Sequence, residues 1–291
     1  MGEADCLPHL ARPPPRMDAS PEAGPSGKPP SPPGHGRLVS VDILERIPWW
    51  GLVLLIGGAF ALLGIVRSPV YIETYQFLAP AVTVTLQLAI SAYALAMVFG
   101  LIAAFGQLAR NPIFYTPARL YVEVVRGVPL LVQLIYIAFV VTPVLADLTG
   151  MRWLRDDMVR ATLALGFGYG AYLAEIYRAG IESIPRGQRE AARSLGMTPW
   201  QSMRYIILPQ AIRVVLPPLG NDFVSMLKDS SLASVISVQE LTYSGSLLNA
   251  RTFRSFETYN MVALLYLMMT LLGSLGVRAL ERWTSRGLRH A

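Results

Sequence analysis

Residues 74–109 read TYQFLAPAVTVTLQLAISAYALAMVFGLIAAFGQLA, a stretch without a single charged side chain. About 20 apolar residues are enough for a helix to cross the hydrocarbon core of a bilayer, so this stretch predicts a transmembrane helix. Residues 47–66, 127–146 and 258–277 are also free of charge. These stretches are apolar on all sides, whereas the strands of a β-barrel alternate between polar and apolar residues. The sequence therefore predicts an all-α membrane protein, a polytopic helical bundle of about six transmembrane helices.

The overall composition agrees with a membrane protein. The chain has 291 residues, 53% of them hydrophobic and 15% charged, and its mean hydropathy is +0.43, whereas a soluble domain carries about 25% charged residues. A net charge of +6 would suggest nucleic acid in a soluble protein. Basic residues of membrane proteins instead mark cytoplasmic loops, so we expect no nucleic acid. The single cysteine, Cys6, excludes an internal disulfide and a cysteine metal site, and we expect neither a metal nor a cofactor in this chain.

The N-terminal region differs from the rest in composition. Ten of the chain's 22 prolines lie within its first 45 residues, together with glycine and serine, and such a segment cannot bury enough apolar surface to order itself. An alternative for this tail is a proline-rich ligand for another protein. We divide the chain into a disordered cytoplasmic tail at 1–45, an extra transmembrane helix and loop at 46–73, a transmembrane domain at 74–285 and a cytoplasmic tail at 286–291.

Within the transmembrane domain the apolar pattern predicts five spans. They cover about 78–108, 120–141, 159–177, 211–227 and 259–280. The second span contains Arg126-Gly127-Val128-Pro129, and we expect a break there because proline removes a backbone donor and disfavours helix at the preceding residue. Arginines cluster after the first, third and fifth of these spans. This pattern predicts that both termini and the loop at about 183–210 face the cytoplasm.

That loop contains the sequence EAARSLGMTPWQSMRYIILP at residues 190–209. Gly196 falls where a short helix should end in a left-handed residue, and Thr198 with Gln201 has the capping-box pattern of a second helix. The paired alanines give the first helix a flat surface, which suits docking into a groove on another protein. The alternative is an amphipathic surface helix without a partner.

The loop resembles the cytoplasmic loop of the membrane subunits of bacterial ABC importers. Four other segments are similar to the polar amino acid uptake branch of that family: YVEVVRGVPLLVQL at 121–134, AEIYRAGIESIPRGQ at 174–188, PQAIRVVLPPLGN at 209–221 and KDSSLASVI at 228–236. The resemblance covers about residues 74–285. Val128 and Ser230 depart from the family pattern, since each stands where threonine is common.

This resemblance implies a function and a set of partners. The chain would be the permease subunit of an ATP-driven importer that moves a polar amino acid across the bacterial inner membrane. A periplasmic binding protein would deliver the amino acid, a pair of ATPase subunits would bind below, and a second permease chain, identical or paralogous, would complete the pathway. The chain contains no GxxxxGK[ST] sequence, so ATP would bind to the ATPase partner and this chain would not be an enzyme.

The family resemblance also suggests which residues couple the chain to the ATPase. In that family the loop docks on the ATPase, and the matching positions here are Gly187, Glu190, Ala191, Ala192, Gly196, Leu208 and Pro209.

Ionisable residues near membrane depth are costly and usually face a pathway. Four such residues are candidates for the substrate pathway: Glu123, Arg126, Glu175 and Asp222. An arginine and a carboxylate that face one cavity would match the two charges of an amino acid. The alternative is that these side chains reach water at helix ends or pair with one another for structure.

Two other functions fit parts of the sequence. A secondary amino acid transporter driven by an ion gradient would need buried acidic residues in mid-helix, for which Asp222 is a candidate, and an inverted repeat, of which the sequence shows no sign. A receptor or scaffold that transports nothing would not need the broken helix at Pro129.

Overall fold

The computed structural model describes residues 68–285, which belong to one compact unit. This part of the chain consists of helices joined by short turns and contains no strand. The expectation of an all-α bundle is therefore confirmed for it. The predicted tails at 1–45 and 286–291, and the part of the extra helix and loop that precedes residue 68, lie outside the described residues.

The first helix, α1, is Pro69–Leu108 and has 40 residues. Pro69 stands in its first turn, where a backbone N–H has no helical partner to lose. Residues 69–73, which the sequence analysis assigned to the loop before the transmembrane domain, are helical and form the start of α1. At 1.5 Å per residue α1 is about 60 Å long, roughly twice the thickness of a bilayer core.

The second membrane segment is broken where the sequence predicts. It consists of α2 (Pro112–Gly127), α3 (Leu130–Tyr136), a π-helical turn (Ile137–Val141) and α4 (Thr142–Thr149). The break falls at Val128 and Pro129, whose ψ angles of 135° and 137° are far from helical values. Proline chemistry therefore accounts for the break.

One buried side chain stabilises this break. Gln133 is 7% exposed, and its amide nitrogen donates hydrogen bonds to the carbonyl oxygens of Val125 and Val128, each at 2.7 Å. Carbonyl groups at the end of a helix lack intrahelical partners, and such groups are costly when buried. Gln133 therefore fixes the geometry at which α2 meets α3.

A turn of 3₁₀ helix (Arg152–Arg155) leads into the central helix α5 (Asp157–Glu182). This helix packs closely along α1: a Cβ added at Gly170 would lie 2.7 Å from the Cβ of Phe99, nearer than real side chains come. The glycines on this face of α5 therefore allow the two helices to pack closely.

The remaining elements follow without long connections. The loop after α5 forms α6 (Arg186–Ser194), α7 (Pro199–Ser202) and a π-helical turn (Met203–Ile207). The chain then continues through α8 (Leu208–Asp229), a 3₁₀ helix (Ser230–Ile236), α9 (Leu241–Thr252) and α10 (Ser255–Ser285). The main core lies between α1, α3, α5 and α8, where Leu88, Leu134, Leu165 and Met226 are completely buried.

Three segments of the described chain are long and apolar enough to cross a membrane. They are Pro69–Leu108, Leu130–Thr149 and Ser255–Arg282. The other two expected spans fall in α5 and α8, which have 26 and 22 residues and are long enough to cross a bilayer core. These are the two helices that carry Glu175 and Asp222.

Candidate functional site

The loop that contains α6 and α7 and a charged cavity lie at the same end of the bundle. The helices α1 and α5 run parallel, since Leu95 and Phe99 of α1 meet Gly166 and Gly170 of α5 in the same order. Their C-terminal ends therefore lie together and share one small apolar cluster. The loop with α6 and α7 follows directly from α5, and a charged cavity opens beside the same helix end.

The charged cavity has a volume of about 620 Å³ and lies between α1, α2 and α5. This volume is within the usual range for ligand pockets, about 300–1,000 Å³. Three arginines and three glutamates line it: Arg119, Glu123, Arg126, Glu175, Arg178 and Glu182. Both signs of charge therefore face the same space.

Glu175 is the centre of the ion pairs in the cavity. Its Oε2 accepts a hydrogen bond from Nη2 of Arg178 at 2.7 Å and lies 3.7 Å from Nη1 of Arg126. Arg178 also donates to Glu182 at 2.6 Å. The side chains of Arg126 and Glu175 are 46% and 26% exposed, so their pair opens on the cavity. The structure thus brings Arg126 and Glu175 together, as the substrate-pathway hypothesis requires.

Arg126 has a second neighbour on α5. Its guanidinium carbon lies 5.7 Å from the centroid of the Tyr172 ring, a distance at which the face of the ring attracts a cation. Arg126 also lies in the last turn of α2, next to the break that Gln133 fixes. Two independent contacts therefore position its guanidinium group at the cavity.

Glu123 lines the cavity at a more open position. It accepts a hydrogen bond from Arg119 at 2.7 Å, and the two side chains are 62% and 58% exposed. Sequence reasoning did not single out Arg119, Arg178 or Glu182. The sequence feature that could have identified them is helical spacing, because each lies three or four residues from a residue of opposite charge on its own helix.

Asp222 does not line the charged cavity. Its helix, α8, is held against α1 by a 2.5 Å hydrogen bond from the Tyr93 hydroxyl to the carbonyl of Leu219. The Tyr93 ring also packs edge-on against Phe223. These contacts place Asp222 beside Tyr93 and away from the charged cavity, and its part in a substrate pathway stays a prediction.

The loop presents a coupling surface, which we define as the exposed side of residues 186–209. Six of the seven residues expected to dock on an ATPase are exposed: Gly187, Glu190, Ala191, Gly196, Leu208 and Pro209. Ala192 is completely buried, so the prediction that it forms part of this surface is wrong. Neighbouring residues of a helix point about 100° apart, and Ala192 faces the bundle when Ala191 faces outward.

The local geometry of the loop agrees with the sequence analysis. Gly196 has φ +75°, the left-handed conformation that follows a helix C-terminus. Thr198 and Gln201 form both hydrogen bonds of the capping box, at 3.3 Å and 2.8 Å. The two short helices of the loop therefore have well-defined ends.

The coupling surface also has large apolar side chains that sequence reasoning missed. Leu195, Trp200 and Tyr205 are 80%, 70% and 63% exposed. The sequence feature that could have identified these three side chains is their occurrence in a loop that otherwise consists mainly of small, polar and basic residues. Exposed aromatic and leucine side chains of this kind favour contact with another protein.

Comparisons with known proteins agree with this architecture. Residues 96–290 match the family described as "Binding-protein-dependent transport system inner membrane component". The chain is 39% identical over 198 residues to the glutamine transport system permease protein GlnP of Escherichia coli (strain K12), covering 68% of this chain and 88% of that protein. It is 37% identical over 218 residues to the probable amino-acid permease protein YxeN of Bacillus subtilis (strain 168), covering 75% and 96%.

A solved structure shows the same fold. A crystal structure of an amino acid ABC transporter with histidines superposes on this chain with a TM-score of 0.66 at 38% identity, covering 72% of this chain and 95% of that one.

The helical bundle and these comparisons define a membrane permease. The chain belongs to the family of binding-protein-dependent transport system inner membrane components. It is the permease subunit of an ATP-driven ABC importer, and the alternative of an ion-driven secondary transporter is wrong. The resemblance to the polar amino acid branch is confirmed. Importers of this family work with an ATPase and a binding protein.

Proposed function

We propose that this chain forms the membrane pathway for a polar amino acid through the charged cavity. The observation that carries the proposal is the Arg126–Glu175 pair, in which opposite charges lie 3.7 Å apart, partly exposed, on a cavity of about 620 Å³. The printed names of the relatives support an amino acid as the substrate class: one is a glutamine permease and the other a probable amino-acid permease.

The chemistry of the pair fits the main-chain groups that all amino acids share. Arg126 offers a planar guanidinium group, which binds a carboxylate through two parallel hydrogen bonds. Glu175 offers oxygens that accept from an ammonium group. The 3.7 Å separation of their nearest atoms exceeds a hydrogen bond, so a substrate would replace a weak contact. Arg178 would hold Glu175 in place through its own 2.7 Å hydrogen bond.

The partners follow from the family and from the coupling surface. ATPase subunits would dock on this surface in a pair, with Leu195 and Trp200 as anchors, and they alone would bind ATP. A second permease chain, identical or paralogous, would complete the pathway, and a periplasmic binding protein would deliver the amino acid at the opposite end. In this arrangement the chain lies in the bacterial inner membrane with both termini and the coupling surface in the cytoplasm.

A glycine substitution tests the coupling surface. Gly196 has φ +75° with no atom within 4 Å of an added Cβ, so Gly196→Val strains only the backbone, by about 1–2 kcal/mol. Gly150 has φ +73° and equally open space at the end of α4, which makes Gly150→Val the matched control. We expect Gly196→Val to abolish ATP-driven uptake into proteoliposomes and to weaken copurification of the ATPase, while Gly150→Val preserves both.

Normal uptake by a well-expressed Gly196→Val variant would contradict the role of the loop. Equal losses in the two variants would show that backbone strain, and not its position on the coupling surface, causes the defect. The substrate is tested separately by uptake of a panel of labelled amino acids, and transport of none of them above background would contradict the proposed substrate class.

A further inference from the structure

The three arginines of α6 differ in the direction of their side chains. Arg186 and Arg193 are exposed, whereas Arg189 is partly buried. Its Nη2 donates a hydrogen bond to the carbonyl oxygen of Ile181 at 3.0 Å. Ile181 lies in the last turn of α5 and is 6% exposed. One arginine of the docking helix is therefore bound to the helix that carries Glu175.

Arg189 contributes to the capping of the α5 C-terminus. In the last turn of this helix, the carbonyl oxygens of Ala179 and Gly180 accept hydrogen bonds from the backbone N–H and the hydroxyl of Ser183. The next carbonyl, that of Ile181, is bound by Arg189. A cation at a helix C-terminus is also attracted by the helix dipole, so this contact combines a hydrogen bond with a favourable charge.

The Arg189 side chain is covered by protein where it meets α5. Its Nε is buried, although it has no hydrogen-bond partner among the described residues. Ala192, one turn further along α6, is completely buried. Arg189 and Ala192 therefore form the inward face of α6, opposite the coupling surface.

We propose that Arg189 is a positioning residue that transmits movement of the coupling surface to α5 and, through α5, to Glu175 in the charged cavity. Only residues 183–185 connect the two helices along the chain, and such a short turn can rotate unless a second contact fixes it. A partner that displaces α6 moves the end of α5 with it because Arg189 joins them. This inference rests on the proposed function.

The test measures the coupling ratio, the number of substrate molecules taken up per ATP hydrolysed, in proteoliposomes that contain the complete complex with its ATPase. Arg189→Met keeps an unbranched apolar side chain and removes its donors. We expect it to preserve ATPase copurification and hydrolysis but to lower the coupling ratio roughly tenfold, the size expected for one charge-assisted hydrogen bond. Arg189→Lys retains a charged donor and should recover part of the ratio.

An exposed arginine outside the coupling surface provides the control. Arg110→Met removes the same groups from the turn between α1 and α2, where Arg110 is exposed, and we expect the coupling ratio to stay at the wild-type value. A wild-type ratio in Arg189→Met, or an equal loss in Arg110→Met, overturns the inference. If Arg189→Met cannot be purified, Arg189→Gln decides by the same criterion, since its polar side chain suits the site but is too short to reach Ile181.

Failure of this inference can be distinguished from failure of the proposed function. If the wild-type complex takes up no amino acid, the proposed function fails and no coupling ratio exists. If the wild type couples uptake to hydrolysis and Arg189→Met couples equally well, only the role of Arg189 is wrong.

Discussion

Two glutamates of this bundle, Glu175 and Glu240, lie in opposite kinds of environment. Glu240 caps α9 and is completely buried. Its Oε1 accepts from the backbone N–H of Tyr243 at 2.8 Å, and its Oε2 accepts from the N–H of Thr242 at 2.9 Å and from the Tyr266 hydroxyl at 2.6 Å. Glu175 instead shares its oxygens between two arginines and faces a cavity of about 620 Å³.

The difference shows how to separate a structural acid from a candidate ligand site. Both carboxylate oxygens of Glu240 accept hydrogen bonds from within the protein, and its side chain is completely buried. The longer of the two Glu175 pairs, at 3.7 Å, leaves Arg126 free to take a different anion. Burial alone is therefore a poor guide to function in a membrane bundle. A charged side chain that faces a cavity and is only weakly paired is a better guide.

The largest expected effect is the loss of stability in Glu240→Ala. The substitution leaves the backbone N–H groups of Thr242 and Tyr243 without their acceptor at a buried position and removes one of the two hydrogen bonds of the Tyr266 hydroxyl, and we expect it to cost about 3 kcal/mol of unfolding free energy. Thermal or denaturant unfolding of the detergent-purified complex measures this cost. Glu240→Gln keeps one acceptor oxygen and nearly the same volume, so it should lose less than half as much.

If Glu240→Ala unfolds at the same temperature as the wild type, Glu240 is not a structural residue, and the contrast between Glu240 and Glu175 does not hold. If Glu240→Gln loses uptake but keeps its stability, the charge of Glu240 is needed for transport.

The next effect in size concerns uptake and not stability. Arg126→Lys keeps the charge but cannot form two parallel hydrogen bonds with a carboxylate. We expect the amino acid concentration for half-maximal uptake to rise about tenfold, while basal ATP hydrolysis and the unfolding temperature stay unchanged. Arg119→Lys is the matched control on the same cavity, where the pair with Glu123 is more exposed, and it should change uptake little.

A joint loss of basal ATP hydrolysis, uptake and thermal stability in Arg126→Lys would contradict direct contact with the substrate. Arg126 would then be a structural residue of the same kind as Glu240.

Features that depend on neighbouring residues were predicted correctly from the sequence. The break before Pro129, the left-handed Gly196 and the capping box of Thr198 and Gln201 each follow from the backbone chemistry of a few consecutive residues. The approximate positions of the described spans follow from apolar length alone. These properties do not depend on which helices pack together, and so one sequence is sufficient to predict them.

Features that depend on distant contacts were not predictable in this way. The placement of Asp222 follows from the bond between Tyr93 and Leu219, which are 126 residues apart. The burial of Glu240 depends on α9 meeting α1, where the N–H of Leu241 donates to the Thr85 hydroxyl across 156 residues. A sequence shows that a charged side chain lies on a helix, but the packing decides which way it faces.

The smallest expected effect is that of Glu123→Gln, and it determines how far the ligand-binding part of the cavity extends. Glu123 lines the same cavity as Glu175, but its pair with Arg119 is more than half exposed on both sides, and such pairs contribute little to stability. We expect uptake to fall less than about twofold, a change close to the limit of measurement for one exposed pair, whereas Glu175→Gln should cause a loss as large as Arg126→Lys. If Glu123→Gln instead loses as much uptake as Glu175→Gln, the substrate reaches the open side of the cavity. The exposed fraction of a charged side chain would then not show whether that side chain binds substrate.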